Sequence, residues 1–144
     1  MPRGEPPVGP VVVLDSEAVS VLASPNERGS ASRRAQAVLE AIERRGGYAV
    51  VPAPVLAETS RTRGRRAAVD HVLRRLQVVP TDRPIAERAG ALLEAAGMGS
   101  AAAVDAFVAA TAAQAPAAVI LAGDAGDLDR LSSSLTNVAV QGLH

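Results

Sequence analysis

The sequence predicts an α/β fold built around a small, mainly parallel sheet. Three observations carry that expectation. Short apolar runs recur along the chain, Val11-Val-Val-Leu14 and Val119-Ile-Leu-Ala122 most clearly, and strands covered on both faces belong to parallel sheets. Segments with helical spacing separate these runs, the alternation expected of strand–helix–strand units. The 144 residues are 48% hydrophobic and 21% charged, which suits one core rather than two domains or a disordered chain.

Each element follows from its local pattern. Val11 to Leu14 is the first strand, followed by a short helix from Glu17 to Leu22 and a loop at Ser24-Pro-Asn-Glu-Arg-Gly29. Ser30 or Ser32 is suited to cap a helix through Arg45, with Ala35, Val38, Leu39 and Ile42 on one face and Gly46-Gly47 as its stop. Tyr48 to Val51 is a second strand. Pro52 and Pro54 open a short helix carrying Val55, Leu56 and Glu58, since proline is tolerated in a first turn. An arginine-rich helix spans about Gly64 to Arg75, and Gln77 to Pro80 is a short strand. Thr81 or Asp82 caps a helix through Ala96, and Gly97 and Gly99 separate it from an alanine-rich helix over Ala101 to Gln114. Val119 to Ala122 is a buried strand, Asp124 to Leu131 a helix, and Asn137 to Gln141 an edge strand.

Composition removes several kinds of chemistry. There is no cysteine, so disulfides, thiolate metal sites and cysteine nucleophiles are excluded. All 15 basic residues are arginine; without lysine there is no Walker A loop and no Schiff base. The 15 acidic residues balance them, which argues against binding nucleic acid by bulk charge. Aromatic residues are 1% of the chain, too few for a base-stacking platform. No apolar run approaches the roughly 18 residues of a membrane span. Residues 1–10 read as a flexible leader without a secretion signal's apolar stretch, and residues 11–144 as one domain; the expected location is cytoplasmic.

The chemistry that remains is carboxylate chemistry. In open α/β sheets, ligands bind outside the carboxyl ends of the strands, where Asp15 and Asp124 fall. Each is also explained as a helix cap, with Asp127 three residues after Asp124. Asp105 is harder to explain that way. Its neighbours at helical spacing are Ala101, Ala102, Val108, Ala109 and Ala112, so it lies on the apolar stripe. A carboxylate there must be paired, protonated or bound to a metal, and a distant arginine is one alternative. Glu58 belongs either to the same sheet edge or to a surface pair with Arg61. Taken together, Asp15, Glu58, Asp105 and Asp124, with Asp127 beside them, come from four separated segments. Like charges brought together repel unless a cation sits among them. An all-oxygen donor set suits Mg²⁺ or Mn²⁺, and the matching chemistry is phosphodiester hydrolysis.

The strings Val11-Val-Val-Leu-Asp-Ser16, Val50-Val-Pro-Ala-Pro-Val-Leu-Ala-Glu58, Val104-Asp-Ala-Phe-Val-Ala-Ala-Thr111 and Val119-Ile-Leu-Ala-Gly-Asp-Ala-Gly-Asp-Leu128 resemble the four acidic blocks of PIN-domain nucleases. They are most similar to the VapC-type toxins of bacterial toxin–antitoxin pairs. The resemblance implies a three-layer PIN-like fold and a Mg²⁺-dependent endoribonuclease (Mn²⁺ as an alternative ion), homodimeric and held inactive by a cognate antitoxin. It implies catalytic roles for Asp15, Glu58, Asp105 and Asp124, and metal binding by Asp15, Asp105, Asp124 and Asp127. Two positions depart from the pattern. Glu17 stands where many members have Ser or Asn, and Gly123 where Ser or Thr is frequent.

Arg61, Arg63, Arg65 and Arg66 closely follow Glu58, with Arg74 and Arg75 further on. Guanidinium groups bind phosphates bidentately, so the cluster suits an RNA backbone. A solvated helix face and a contact for an acidic antitoxin tail are the other readings. Two functional alternatives stand beside the toxin: a housekeeping RNA-processing PIN nuclease without antitoxin, and a catalytically weakened module that mainly binds a partner.

Overall fold

Five strands form one sheet in the computed structural model, which describes residues 9–27, 29–59 and 66–144. Residues 1–8 of the expected leader, and Arg61, Arg63 and Arg65, lie outside the described residues. The elements in chain order are β1 (Val11–Leu14), α1 (Ser16–Ala23), α2 (Gly29–Arg44), β2 (Tyr48–Pro52), α3 (Ala53–Thr59) and α4 (Arg66–Leu73). They continue with β3 (Gln77–Val79), α5 (Arg83–Ala96), α6 (Ala103–Ala113), β4 (Ala118–Ala122), α7 (Gly126–Ser132) and β5 (Val138–Gly142).

The strand order is β3-β2-β1-β4-β5, and every pairing is parallel. The apolar runs explain the middle of this order. Val12, Val13 and Leu14 are each 0% exposed, as a central strand covered on both faces requires. Burying each such side chain contributes about 1.5–3 kcal/mol. The β3 strand, with Gln77 and Val78 exposed, takes one edge and β5 the other.

The order also fixes where the helices go. From β1 to β2 and β3 the chain steps one way across the sheet; from β3 it crosses back to β4 and β5. Right-handed crossovers put connections of opposite direction on opposite faces. Accordingly α1 packs with α2, α3 and α4, while α5, α6 and α7 pack together. The result is helix layers on both sides of a parallel sheet.

Several boundaries differ from the sequence expectation, each for a local reason. α2 begins at Gly29, a turn before Ser32, which is buried and accepts a hydrogen bond from Gln36 Nε2. Asp82, not Thr81, caps α5, accepting the Ile85 N–H at 3.1 Å, a contact worth about 1 kcal/mol. That helix ends as expected at Gly97, whose φ of 65° is a left-handed cap favouring glycine. The alanine-rich segment is divided: Ser100–Ala102 form a 3-10 turn and α6 proper begins at Ala103. α7 begins at Gly126, two residues after Asp124, with Ala125 in the cap position.

Candidate active site

β1 and β4 are adjacent, and the chain's direction across the sheet reverses between them. Such a switch point is where open α/β sheets place a ligand-binding crevice, outside the carboxyl ends of the strands. Helices that follow parallel strands start at the same edge, so their N-terminal partial charges also face it. Asp15, Asp124 and Asp127 sit at or just before such starts, whereas Asp105 belongs to α6, which follows α5 rather than a strand. Asp15 directly follows β1 and extends the ladder, its N–H donating to Leu121 O at 3.1 Å. Asp105 lies in the first turn of α6, a position created by the 3-10 break before Ala103. Asp124 follows β4, and Asp127 occupies the first turn of α7.

The carboxylates differ in their bonds. Asp15 is a helix cap, as one reading of the sequence allows, and more besides. Its Oδ1 accepts the Ala18 N–H at 2.8 Å, and its Oδ2 accepts the Gly123 N–H at 3.2 Å, joining α1 to the end of β4. Asp124 does not cap α7 conventionally: its Oδ1 accepts the Gly126 N–H at 3.0 Å. Asp124, Asp127 and Glu58 are exposed, while Asp15 and Asp105 are half-buried.

Electrostatics tie these groups together. Burial raises the Asp15 carboxyl from 3.8 to about 6 against its two backbone hydrogen bonds, and the charges of Asp105 and Glu17 raise it further. The Asp105 carboxyl is also raised, first by burial, then by Asp127, Glu58 and Asp124. Asp105 is therefore the hub, within electrostatic reach of every acid singled out in the sequence. Among the described residues no positive group lowers it and no ion pair engages it. The helix dipole favours an acid in this first turn, yet burial and three like charges outweigh it.

Among the described residues, no three histidine or acidic side chains come together as a group that could hold a metal ion. The donor chemistry still fits a hydrated ion. Magnesium keeps several waters and takes one or two carboxylates directly, so an open, all-carboxylate crevice suits it better than it would suit zinc. Thr111 takes no part: its Oγ1 donates to Phe107 O at 2.7 Å, the usual back-bond of a helical threonine.

Other predicted positions fall elsewhere. Arg66, Arg74 and Arg75 are exposed on or just after α4. A groove of about 320 Å³ lies between α2, β2 and α4, lined by Leu22, Leu39, His71, Val72 and Arg75, and none of the crevice acids borders it. His144 had no role in the sequence reading, yet its Nε2 lies 3.5 Å from Glu17 Oε1. The missed signal was topological: a last strand parallel to β4 must deliver the residues after it to the same edge as Asp15.

The PIN domain family model matches residues 12–133. The chain belongs to the PIN domain family. The match spans all four acidic blocks. Among solved structures, VapBC2 from Rickettsia felis bound to a DNA fragment from its promoter is similar at 17% identity, covering 92% of this chain and 98% of that one, with a TM-score of 0.66. A toxin–antitoxin complex from Klebsiella pneumoniae gives 18% identity, 89% and 95% coverage and a TM-score of 0.64. VapBC-1 from nontypeable Haemophilus influenzae gives 15% identity, 92% and 98% coverage and a TM-score of 0.59. At these identities the likeness is one of PIN fold. No curated protein matches the sequence.

Proposed function

We propose that this PIN domain is a Mg²⁺-dependent endoribonuclease acting as the toxin of a VapBC-like toxin–antitoxin pair. What supports the reading is that acids from separated segments lie within electrostatic reach of Asp105. Burial and the charges of Asp127, Glu58 and Asp124 act on it, and its own charge acts on Asp15. Such mutual repulsion at a crevice is sensible where a cation neutralises it. Solved structures of like fold are toxin–antitoxin assemblies, which supports a cognate antitoxin as partner. Among the described residues no helix is long and apolar enough to cross a membrane.

In this reading Asp15, Asp105 and Asp124 would hold the ion, Glu58 would coordinate it directly or through water, and Asp127 would serve as an accessory acid. A bound Mg²⁺ supplies Lewis-acid stabilisation of the phosphoryl charge. The Ala18 and Gly123 N–H groups fix the Asp15 carboxylate in one orientation before an ion arrives, which lowers the ordering cost of binding. Arg66, with Arg61, Arg63 and Arg65 before it in sequence, supplies guanidinium groups for the RNA backbone.

The test is direct. Purified protein with Mg²⁺ is expected to cut structured RNA, and excess EDTA is expected to stop it, with Mn²⁺ restoring cleavage. Cleavage that persists at full rate in EDTA would contradict the metal assignment. Growth arrest on expression, relieved by a small gene lying beside this one, separates a toxin from a housekeeping nuclease.

A further inference from the structure

The turn from β4 into α7 carries a constraint that the acids alone do not explain. Gly123 is buried and donates its N–H to Asp15 Oδ2. Its φ is not positive, so its backbone conformation admits any residue. What excludes a side chain there is space. A Cβ placed on Gly123 would fall 2.6 Å from the Cβ of Glu17 and closer still to its Cγ, well inside the roughly 3.5–4.0 Å of a carbon–carbon contact.

Those atoms cannot yield cheaply. The Glu17 Cβ is fixed by the backbone of α1, and the far end of the side chain meets His144, Nε2 to Oε1 at 3.5 Å. His144 is itself tethered through Leu143, which is 1% exposed. The Leu143 N–H donates to Ala122 O at 2.8 Å, and its carbonyl accepts from Arg34 at 3.1 Å. Moving Glu17 aside therefore disturbs α1 or the chain's last residues.

We infer that Glu17 and Gly123 are a matched pair: the Glu17 stem fills the volume a side chain at 123 would need, and so holds the Gly123 N–H on Asp15. Glu17 is then a positioning residue for the Asp15 carboxylate, acting through volume rather than charge. The consequence for a cation rests on the nuclease reading; the packing relation does not.

A mutant cycle on the full chain tests this, read by thermal unfolding without metal and by Mn²⁺ affinity in calorimetry. Gly123→Ala alone is expected to lower Tm by about 4–10 °C and Mn²⁺ affinity by about tenfold. In the Glu17→Gly background the same change is expected to have little further effect, less than about 2 °C and less than about twofold. In the Glu17→Gln background, which keeps the stem, the full loss is expected to remain. Equal losses in the native and Glu17→Gly backgrounds, or relief by Glu17→Gln, would overturn the pairing. Recovery of Tm without recovery of affinity would overturn the positioning role. If Gly123→Ala does not fold, a folded double variant supports the pair and an unfolded one overturns it. A native chain that binds no Mn²⁺ counts against the nuclease reading instead, and the Tm cycle still decides the pair.

Discussion

Replacing Asp105 with Asn is expected to abolish RNA cleavage while making the metal-free protein more stable. The two effects share one cause. Asp105 is half-buried, and its charge is opposed by Asp127, Glu58 and Asp124. An amide of the same shape removes the repulsion and most of the burial penalty, and it removes the anionic oxygen that would hold the ion. The expected loss in kcat is at least about 10²-fold, comparable to removing one strong charge-stabilising group. Tm of the metal-free protein should rise by a few degrees, the familiar exchange of stability for function at a strained site. Cleavage assays beside thermal melts in EDTA check both signs at once. A variant that is inactive and less stable would indicate a structural carboxylate instead.

The second large effect is a pH dependence with a defined sign. The Asp15 carboxyl titrates at about 6 in the folded chain against 3.8 without the fold. The folded state therefore binds this proton more tightly than the unfolded state does. The resulting stabilisation is complete below pH 4 and is lost as pH rises through about 6. For a shift of this size the loss is at most about 3 kcal/mol, reduced by the water that reaches a half-buried group. Without metal, Tm of the native chain should fall between pH 4 and pH 7 relative to Asp15→Asn, which keeps an oxygen for the Ala18 N–H and has no charge to lose. Saturating Mg²⁺ should reverse the fall at pH 7, because an ion that binds only the folded state stabilises it by mass action. Parallel pH profiles for the two proteins would contradict the raised Asp15 carboxyl.

The fold was legible in the sequence because its central strands are apolar runs with no polar face. Val11–Leu14 and Ile120–Ala122 admit only a covered position, and alternation with helical segments then requires a parallel sheet. The helix starts were less legible. Asp124 satisfies the pattern of a cap, but Gly126 takes its side-chain bond and α7 starts later. The break at Ser100–Ala102 has no strong sequence signal in an alanine-rich run, although it is what places Asp105 in a first turn. Asp105 was nevertheless conspicuous, since a carboxylate among alanines and valines has no bland explanation on its own helix.

The relation between Glu17 and Gly123 could not be read from one sequence. The two positions looked like independent departures from a pattern, and only the approach of α1 to the β4–α7 turn shows them competing for one volume. The same holds for His144, which meets Glu17 because β5 runs parallel to β4 and ends beside it. Contacts of this kind depend on tertiary packing, on which local propensity is silent.

The central claim is that repulsion among separated acids creates a place for a divalent ion at the switch point. Calorimetric titration of the metal-free chain with Mn²⁺, native beside Asp105→Asn, tests it without relying on any RNA substrate. Saturable binding that weakens at least about tenfold in the variant is the predicted result, a change of about 1.4 kcal/mol. Identical titrations of the two proteins, with binding or without it, would contradict the claim.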